Sequence, residues 1–164
     1  MRYAGILKND IAAGPGICVT FFTQGCPHHC PGCHNPETWN FNGGKEFTLS
    51  TLHEVLAALT ANGIGRNLCI MGGEPLCPEN EFMTHLLVME VRRVLPQTKI
   101  YIWTGYKAEE LEERNNSLMK DIFYNIDFLI DGPYIEELKD TTLPMRGSSN
   151  QRIYDMKFDF FEKL

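Results

Sequence analysis

No window of about 18 apolar residues occurs in the chain, so no transmembrane helix is predicted. The first nine residues have no long apolar core followed by a small-residue cleavage site, so no secretory signal is visible. Positive charge is scarce: 15 Lys and Arg against 21 Asp and Glu leave a formal net charge of −6. A protein that grips phosphate backbones needs a basic face, so nucleic acid is not expected as a partner, and neither is a membrane. There is no internal repeat, no low-complexity segment and no linker that would divide the chain. With 164 residues, 43% of them hydrophobic, a single soluble domain over residues 1–164 is expected. That length buries about 70% of the surface an unfolded chain exposes. Six cysteines without a signal read as cytoplasmic thiols and metal ligands, not as a disulfide framework.

A fourth cysteine is missing where it would be most expected. The stretch Gly25-Cys26-Pro27-His28-His29-Cys30-Pro31-Gly32-Cys33-His34-Asn35-Pro36-Glu37-Thr38 holds three, at a C-x3-C-x2-C spacing. Its prolines and glycines exclude a regular helix or strand, so it is a loop. Thiolates that close together are soft ligands suited to iron–sulfur clusters and zinc. A structural site is normally closed by a fourth protein ligand. A [4Fe–4S] cube held only by Cys26, Cys30 and Cys33 keeps one iron open. The loop alone leaves two other readings: a Cys3His zinc site completed by His28, His29 or His34, and a disulfide within the loop.

The rest of the chain alternates. Residues 1–16 end in the turn signal Gly14-Pro15-Gly16. Residues 17–23 read as a buried strand, 68–71 as a second, 99–103 as a third and 126–130 as a fourth. Residues 40–45 read as a turn around Gly43-Gly44. A helix is predicted from Thr51, with Glu54 at capping-box spacing and an apolar face of Leu52, Val55, Leu56 and Leu59, ending near Gly63. Further helices are predicted over about 79–95, stopped by Pro96, over 108–114 and over 118–124. The C-terminal segment mixes Ile153, Tyr154, Phe158, Phe160 and Phe161 and fits either a strand or a docking tail. Strand–helix alternation argues for parallel strands in βα units. In such folds functional residues gather beyond the C-terminal ends of the strands. Each irregular stretch falls there: the cysteine loop, then Gly72-Gly73-Glu74-Pro75, then Thr104-Gly105-Tyr106, then Asp131-Gly132-Pro133. The paired glycines let backbone approach a ligand closely, and Glu74 adds a carboxylate that could hold an amino-bearing ligand. Asp131, a carboxylate ending an apolar strand, must be solvated or paired and is a candidate ribose or methionine contact. Cys18 and Cys69 read as buried small hydrophobes. Tyr106 reads as packing, and residues 109–114 as a solvated helix face.

C-x3-C-x2-C followed about forty residues later by Gly-Gly-Glu-Pro resembles the signature pair of the radical S-adenosylmethionine enzymes. Four further stretches narrow the likeness: Gly14-Pro15-Gly16, Cys26-x-His28-x-Cys30-x-Gly32-Cys33-x-Asn35-x-x-Thr38-Trp39, Trp103-Thr104-Gly105-Tyr106 and Arg146-Gly147-Ser148-Ser149-Asn150-Gln151. Together they resemble the glycyl-radical enzyme activase family, in the subfamily that serves anaerobic ribonucleoside-triphosphate reductase. The resemblance implies an α/β fold, a partial (βα) barrel of mostly parallel strands that is open on one side. It implies that Cys26, Cys30 and Cys33 ligate a [4Fe–4S] cluster whose fourth iron is chelated by S-adenosylmethionine. Gly72, Gly73 and Glu74 would bind the amino group, chiefly through backbone, while Gly32, Cys33 and His34 pass along the adenine side. Reductive cleavage would give a 5′-deoxyadenosyl radical that leaves a glycyl radical on the reductase, with reduced flavodoxin or a similar protein as electron donor. The protein would orient the cofactors and exclude water. A full (β/α)8 barrel takes about 250 residues, so this chain can build only part of one. An open side would admit a protein loop bearing a glycine. Two rivals follow: an activase for another glycyl-radical enzyme of the pyruvate formate-lyase type, and a non-catalytic Cys3His zinc module that binds a partner.

Overall fold

Short apolar runs with no polar face are stable only between other strands, and four of them form the centre of the sheet. The computed structural model describes residues 1–160, with the side chain of Phe160 left aside; Phe161 lies outside the described residues. In chain order the elements are β1 (Arg2–Asp10), β2 (Cys18–Thr23), β3 (Lys45–Glu46), α1 (Leu49–Leu59), β4 (Asn67–Gly72), α2 (Glu81–Val94), β5 (Ile100–Trp103), α3 (Ala108–Glu113), α4 (Ser117–Asn125), β6 (Phe128–Asp131) and β7 (Arg152–Asp155). They form one seven-stranded sheet in the order β3-β1-β2-β4-β5-β6-β7. The pairs β2–β4, β4–β5 and β5–β6 are parallel. The expectation of parallel strands holds for these central four. The outer strands β1, β3 and β7 pair antiparallel, so the sheet is mixed.

Register across the centre aligns Phe21, Ile70, Ile102 and Leu129 in one row. All four are fully buried and face side chains from all four helices, among them Val55, Leu87, Leu111 and Ile122. The helices therefore cover one face of the sheet. The opposite face carries a second, smaller apolar group of Cys18, Cys69, Tyr101 and Ile130, against which Met71, Trp103 and Met145 pack. Cys18 and Cys69 have no exposure.

Sequence patterning missed β1 and β3 and left the C-terminal segment open between a strand and a docking tail; its residues 152–155 form the strand β7. β1 carries Gly5, a bulged register and four exposed or half-exposed polar positions, and β7 is the charged tetrapeptide Arg-Ile-Tyr-Asp. Edge strands need no continuous apolar run, so they leave no strong signal. The predicted turn over residues 40–45 gives way to β3 at Lys45. The predicted capping pair is also corrected. Thr48 caps α1 and exchanges hydrogen bonds with Thr51, three positions on, so Thr51 is the inner partner and not the cap. α1 ends at Leu59, and Gly63 follows in a separate 3₁₀ turn. Among the described residues no helix is long and apolar enough to cross a membrane.

Candidate metal and cofactor site

The cysteine loop is bound to the sheet before any ligand is considered. Gln24, just past β2, donates through Nε2 to the carbonyls of Glu37 and Asn40. The backbone amides of Gly25 and Cys26 donate to Thr38 and Trp39, closing the loop at its base. Asn80, ahead of α2 and 2% exposed, donates through Nδ2 to the carbonyls of Gln24, Gly25 and Glu74. The end of β4 meets the start of the loop directly: Glu74 N donates to the Gly25 carbonyl at 2.8 Å. A Cβ on Gly73 would stand 2.4 Å from that same oxygen, so only glycine fits. Gly72 has φ +106°, a conformation that side chains disfavour.

Glu74 is the tie between three strand ends. Its carboxylate is 1% exposed. Oε1 accepts from Leu76 N at 2.9 Å and from the Thr104 hydroxyl at 2.7 Å. Oε2 accepts from Gly105 N at 2.7 Å and meets His28 Nε2 at 2.8 Å. Four contacts in a dry environment meet the cost of burying a carboxylate. They also engage each oxygen twice, so the side chain is committed to the protein. His28 is in turn edge-on to the Tyr106 ring, over which the Arg114 guanidinium lies at 4.2 Å. Tyr106 is thus packing, as the sequence suggested, but packing that braces the loop.

Above this tie, on the sheet face away from the helices, lies a cavity of about 270 Å³. Cys26, Cys30, Cys33, Gly72, Gly73 and Tyr134 are among its lining residues. Of the residues singled out from sequence, His34 and Glu74 also reach it, while Gly32 and Asp131 are not among the lining residues. Asp131 is fully buried and paired instead: it receives Ala108 N at 2.7 Å and the Arg152 guanidinium at 2.5 and 3.0 Å. It joins β6 to β7 and to the start of α3. Cys77 turns away from the cavity and donates its thiol to the Glu74 carbonyl.

Sequence reasoning missed Tyr134, and it quoted Trp39 and Gln151 within motifs without giving either a role of its own. Gln151 Oε1 accepts from the amides of Gly147 and Ser148, and its Nε2 donates to the Gly132 carbonyl. The polar stretch 146–151 is thereby folded back over β6, with Gly147 and Gln151 on the cavity wall. Trp39 lines the cavity with a buried indole Nε1 that has no hydrogen-bond partner among the described residues.

The donor set suits an iron–sulfur cluster. Burial pushes the Cys26 thiol up to about 11, with the Glu74 charge adding to it, and burial raises Cys30 as well. Such thiols stay protonated near neutrality until a metal ion claims them, since a coordinating thiol is deprotonated outright. Three thiols on one loop are the soft donors that an iron–sulfur cluster takes.

Residues 12–154 match the family described as a 4Fe-4S single cluster domain. Curated relatives extend the likeness to almost the whole chain. A protein of Salmonella typhimurium is 38% identical over 158 residues, 96% of this chain and 100% of the relative. One of Escherichia coli is 37% identical over the same shares of each chain. One of Haemophilus influenzae is 36% identical over 96% of this chain and 99% of its own. Each of the three is named anaerobic ribonucleoside-triphosphate reductase-activating protein.

Proposed function

The chain belongs to the family of anaerobic ribonucleoside-triphosphate reductase-activating proteins, and on that footing we propose that it installs the glycyl radical of that reductase by radical S-adenosylmethionine chemistry. Cys26, Cys30 and Cys33 hold a [4Fe–4S] cluster. Gly72 and Gly73 offer backbone to the amino group of S-adenosylmethionine, since the Glu74 carboxylate is already engaged by His28, Leu76, Thr104 and Gly105. Cys33 and His34 face the nucleoside. When bound, the cluster and S-adenosylmethionine would supply one-electron cleavage of the sulfonium S–C5′ bond, releasing methionine and giving the 5′-deoxyadenosyl radical that would take a hydrogen atom from a glycine Cα of the reductase. The chain's own task is orientation: His28 and Asn80 fix the cysteine loop against the ends of β4 and β5, and the stretch 146–151 screens one side from water. An electron donor of the reduced flavodoxin kind completes the cycle.

The observation that carries this reading is one cavity shared by three thiols and the Gly72-Gly73 strand end. The winding of the sheet supports a partial barrel. The parallel strands follow chain order without reversal and their helices stay on one face, whereas open doubly-wound sheets reverse direction and are covered on both. Among the described residues the order β3 to β7 leaves the sheet open at both edges, where a glycine-bearing loop could enter.

The test is anaerobic. The protein is loaded with iron and sulfide, reduced and given S-adenosylmethionine, and 5′-deoxyadenosine and methionine are measured. The reductase is then added and the electron paramagnetic resonance spectrum recorded. Cleavage with a glycyl-radical doublet is expected. Cleavage without the doublet would overturn the partner, and stoichiometric zinc with no cluster would overturn the whole reading.

A further inference from the structure

Tyr134 lies on the β6–β7 connection, and the structure fixes its ring from several directions. The phenol donates to Glu136 Oε2 at 2.6 Å, which holds the tip of the ring. The ring lines the same cavity as the cysteine triad. Two glycines far apart in sequence make room for it. A Cβ on Gly32 would stand 3.3 Å from Cε1, and a Cβ on Gly147 3.1–3.2 Å from Cδ2 and Cε2. The imidazole of His34 lies 5.2 Å away, tilted by 45°. The phenol is no acid near neutrality, because the Glu136 carboxylate beside it pushes it up to about 12. The ring therefore serves as a shaped surface. Other aromatic residues on the wall are engaged elsewhere: Trp103 donates to the Met145 carbonyl, and Trp39 lies against His29.

We propose that Tyr134 is the platform on which the purine of the cavity's ligand stacks, with His34 beside it. This rests on the reading of that ligand as an adenosine-bearing sulfonium. A flat ring held at a fixed tilt in a cavity loses no rotamer freedom when a base stacks on it. Stacking of this kind tolerates Phe and not an aliphatic side chain. Removal of one stacking ring typically weakens binding by about tenfold or more.

The experiment measures equilibrium binding to the cluster-loaded protein, with iron and sulfide content and the cluster absorbance as controls. Two ligands are compared, S-adenosylmethionine and S-methylmethionine, which keeps the amino acid and the sulfonium but lacks the nucleoside. The unsubstituted protein should prefer S-adenosylmethionine by well over tenfold. Tyr134→Leu should weaken S-adenosylmethionine by about tenfold and leave S-methylmethionine unchanged, while Tyr134→Phe stays within about twofold of the parent for both. Equal binding of the two ligands by the unsubstituted protein overturns the platform without any variant, so failure of Tyr134→Leu to load iron does not shield the idea. Equal weakening of both ligands by Tyr134→Leu would mean that the ring only props the loop, and this too overturns it. If the cluster-loaded parent binds neither ligand, the proposed function itself falls.

Discussion

Replacing Glu74 by Gln removes one charge and exchanges one oxygen for an NH2 group. The four partners of the carboxylate are two backbone amides, a hydroxyl and an imidazole. The hydroxyl of Thr104 and the ring nitrogen of His28 can each reverse roles and accept from the new NH2. The amides of Leu76 and Gly105 cannot, and they bond different oxygens. Whichever way the Gln amide is turned, one backbone N–H faces an NH2 and loses its partner. A hydrogen bond to a charged acceptor contributes about 1.5–3 kcal/mol, and a buried donor left unpaired costs about 1–3 kcal/mol. These overlap, so a loss of about 2–4 kcal/mol is expected for Glu74→Gln. For a chain of this size that is a fall in Tm of roughly 4–16 °C. Thermal and urea unfolding of the cluster-free protein under reducing conditions gives the first number. Iron retained after reconstitution gives the second, which should fall because His28 loses its anchor. A change under about 0.5 kcal/mol with full iron content would refute the account of Glu74 as the tie between β2, β4 and β5, since that is the range of surface substitutions.

Cys26→Ser, Cys30→Ser and Cys33→Ser should each strip most of the iron and sulfide, whereas Cys77→Ser and Cys69→Ala should retain them; metal analysis after anaerobic reconstitution decides. Gly73→Ala drives a methyl into the Gly25 carbonyl, and a loss of at least about 2 kcal/mol in urea unfolding is expected, with iron content reduced. Asp127 is 3% exposed; burial works against its ionised form, but the Ile100 amide, Arg92 and Lys99 outweigh it and hold its pKa below the ordinary value. A depressed carboxylate contributes stability that is present above its unfolded pKa and lost as pH falls through the folded one. Unfolding free energy should therefore decline below about pH 4. Asp127→Asn should flatten that decline and cost about 2–3 kcal/mol at neutral pH. A parallel pH profile in the variant would count against this ion pair.

The centre of the fold was legible because fully buried strands leave continuous apolar runs, as at residues 68–71. The antiparallel margin was not, since β1 and β7 mix polar and apolar residues as solvent-facing edges allow. The same asymmetry runs through the site. Cysteine spacing and paired glycines announce themselves locally, and both arrive at the cavity. Carboxylates do not say which way they face. Glu74 and Asp131 both end strands, yet both turn inward to bind protein donors, Glu74 to four groups and Asp131 to Arg152 and Ala108. Tyr134 lay in a stretch without periodicity, and its importance depends on two glycines more than 110 residues apart, Gly32 and Gly147. Pattern in one dimension cannot pair them.

The cysteine loop is closed at its base by local bonds, but the ties that set it against the sheet are long in sequence. His28 reaches Glu74 across 46 positions, Asn80 reaches back to Gly25 across 55, and Gly105 reaches Glu74 across 31. Contacts of that span form late, after the loop-closure entropy between them has been overcome by strand pairing. The loop cannot be an autonomous metal-nucleated unit of the kind that zinc fingers are. It is a socket finished by the sheet, held by protein contacts as well as by any metal. Protein stripped of its cluster by oxygen is therefore expected to keep a cooperative unfolding transition and to take up iron and sulfide again.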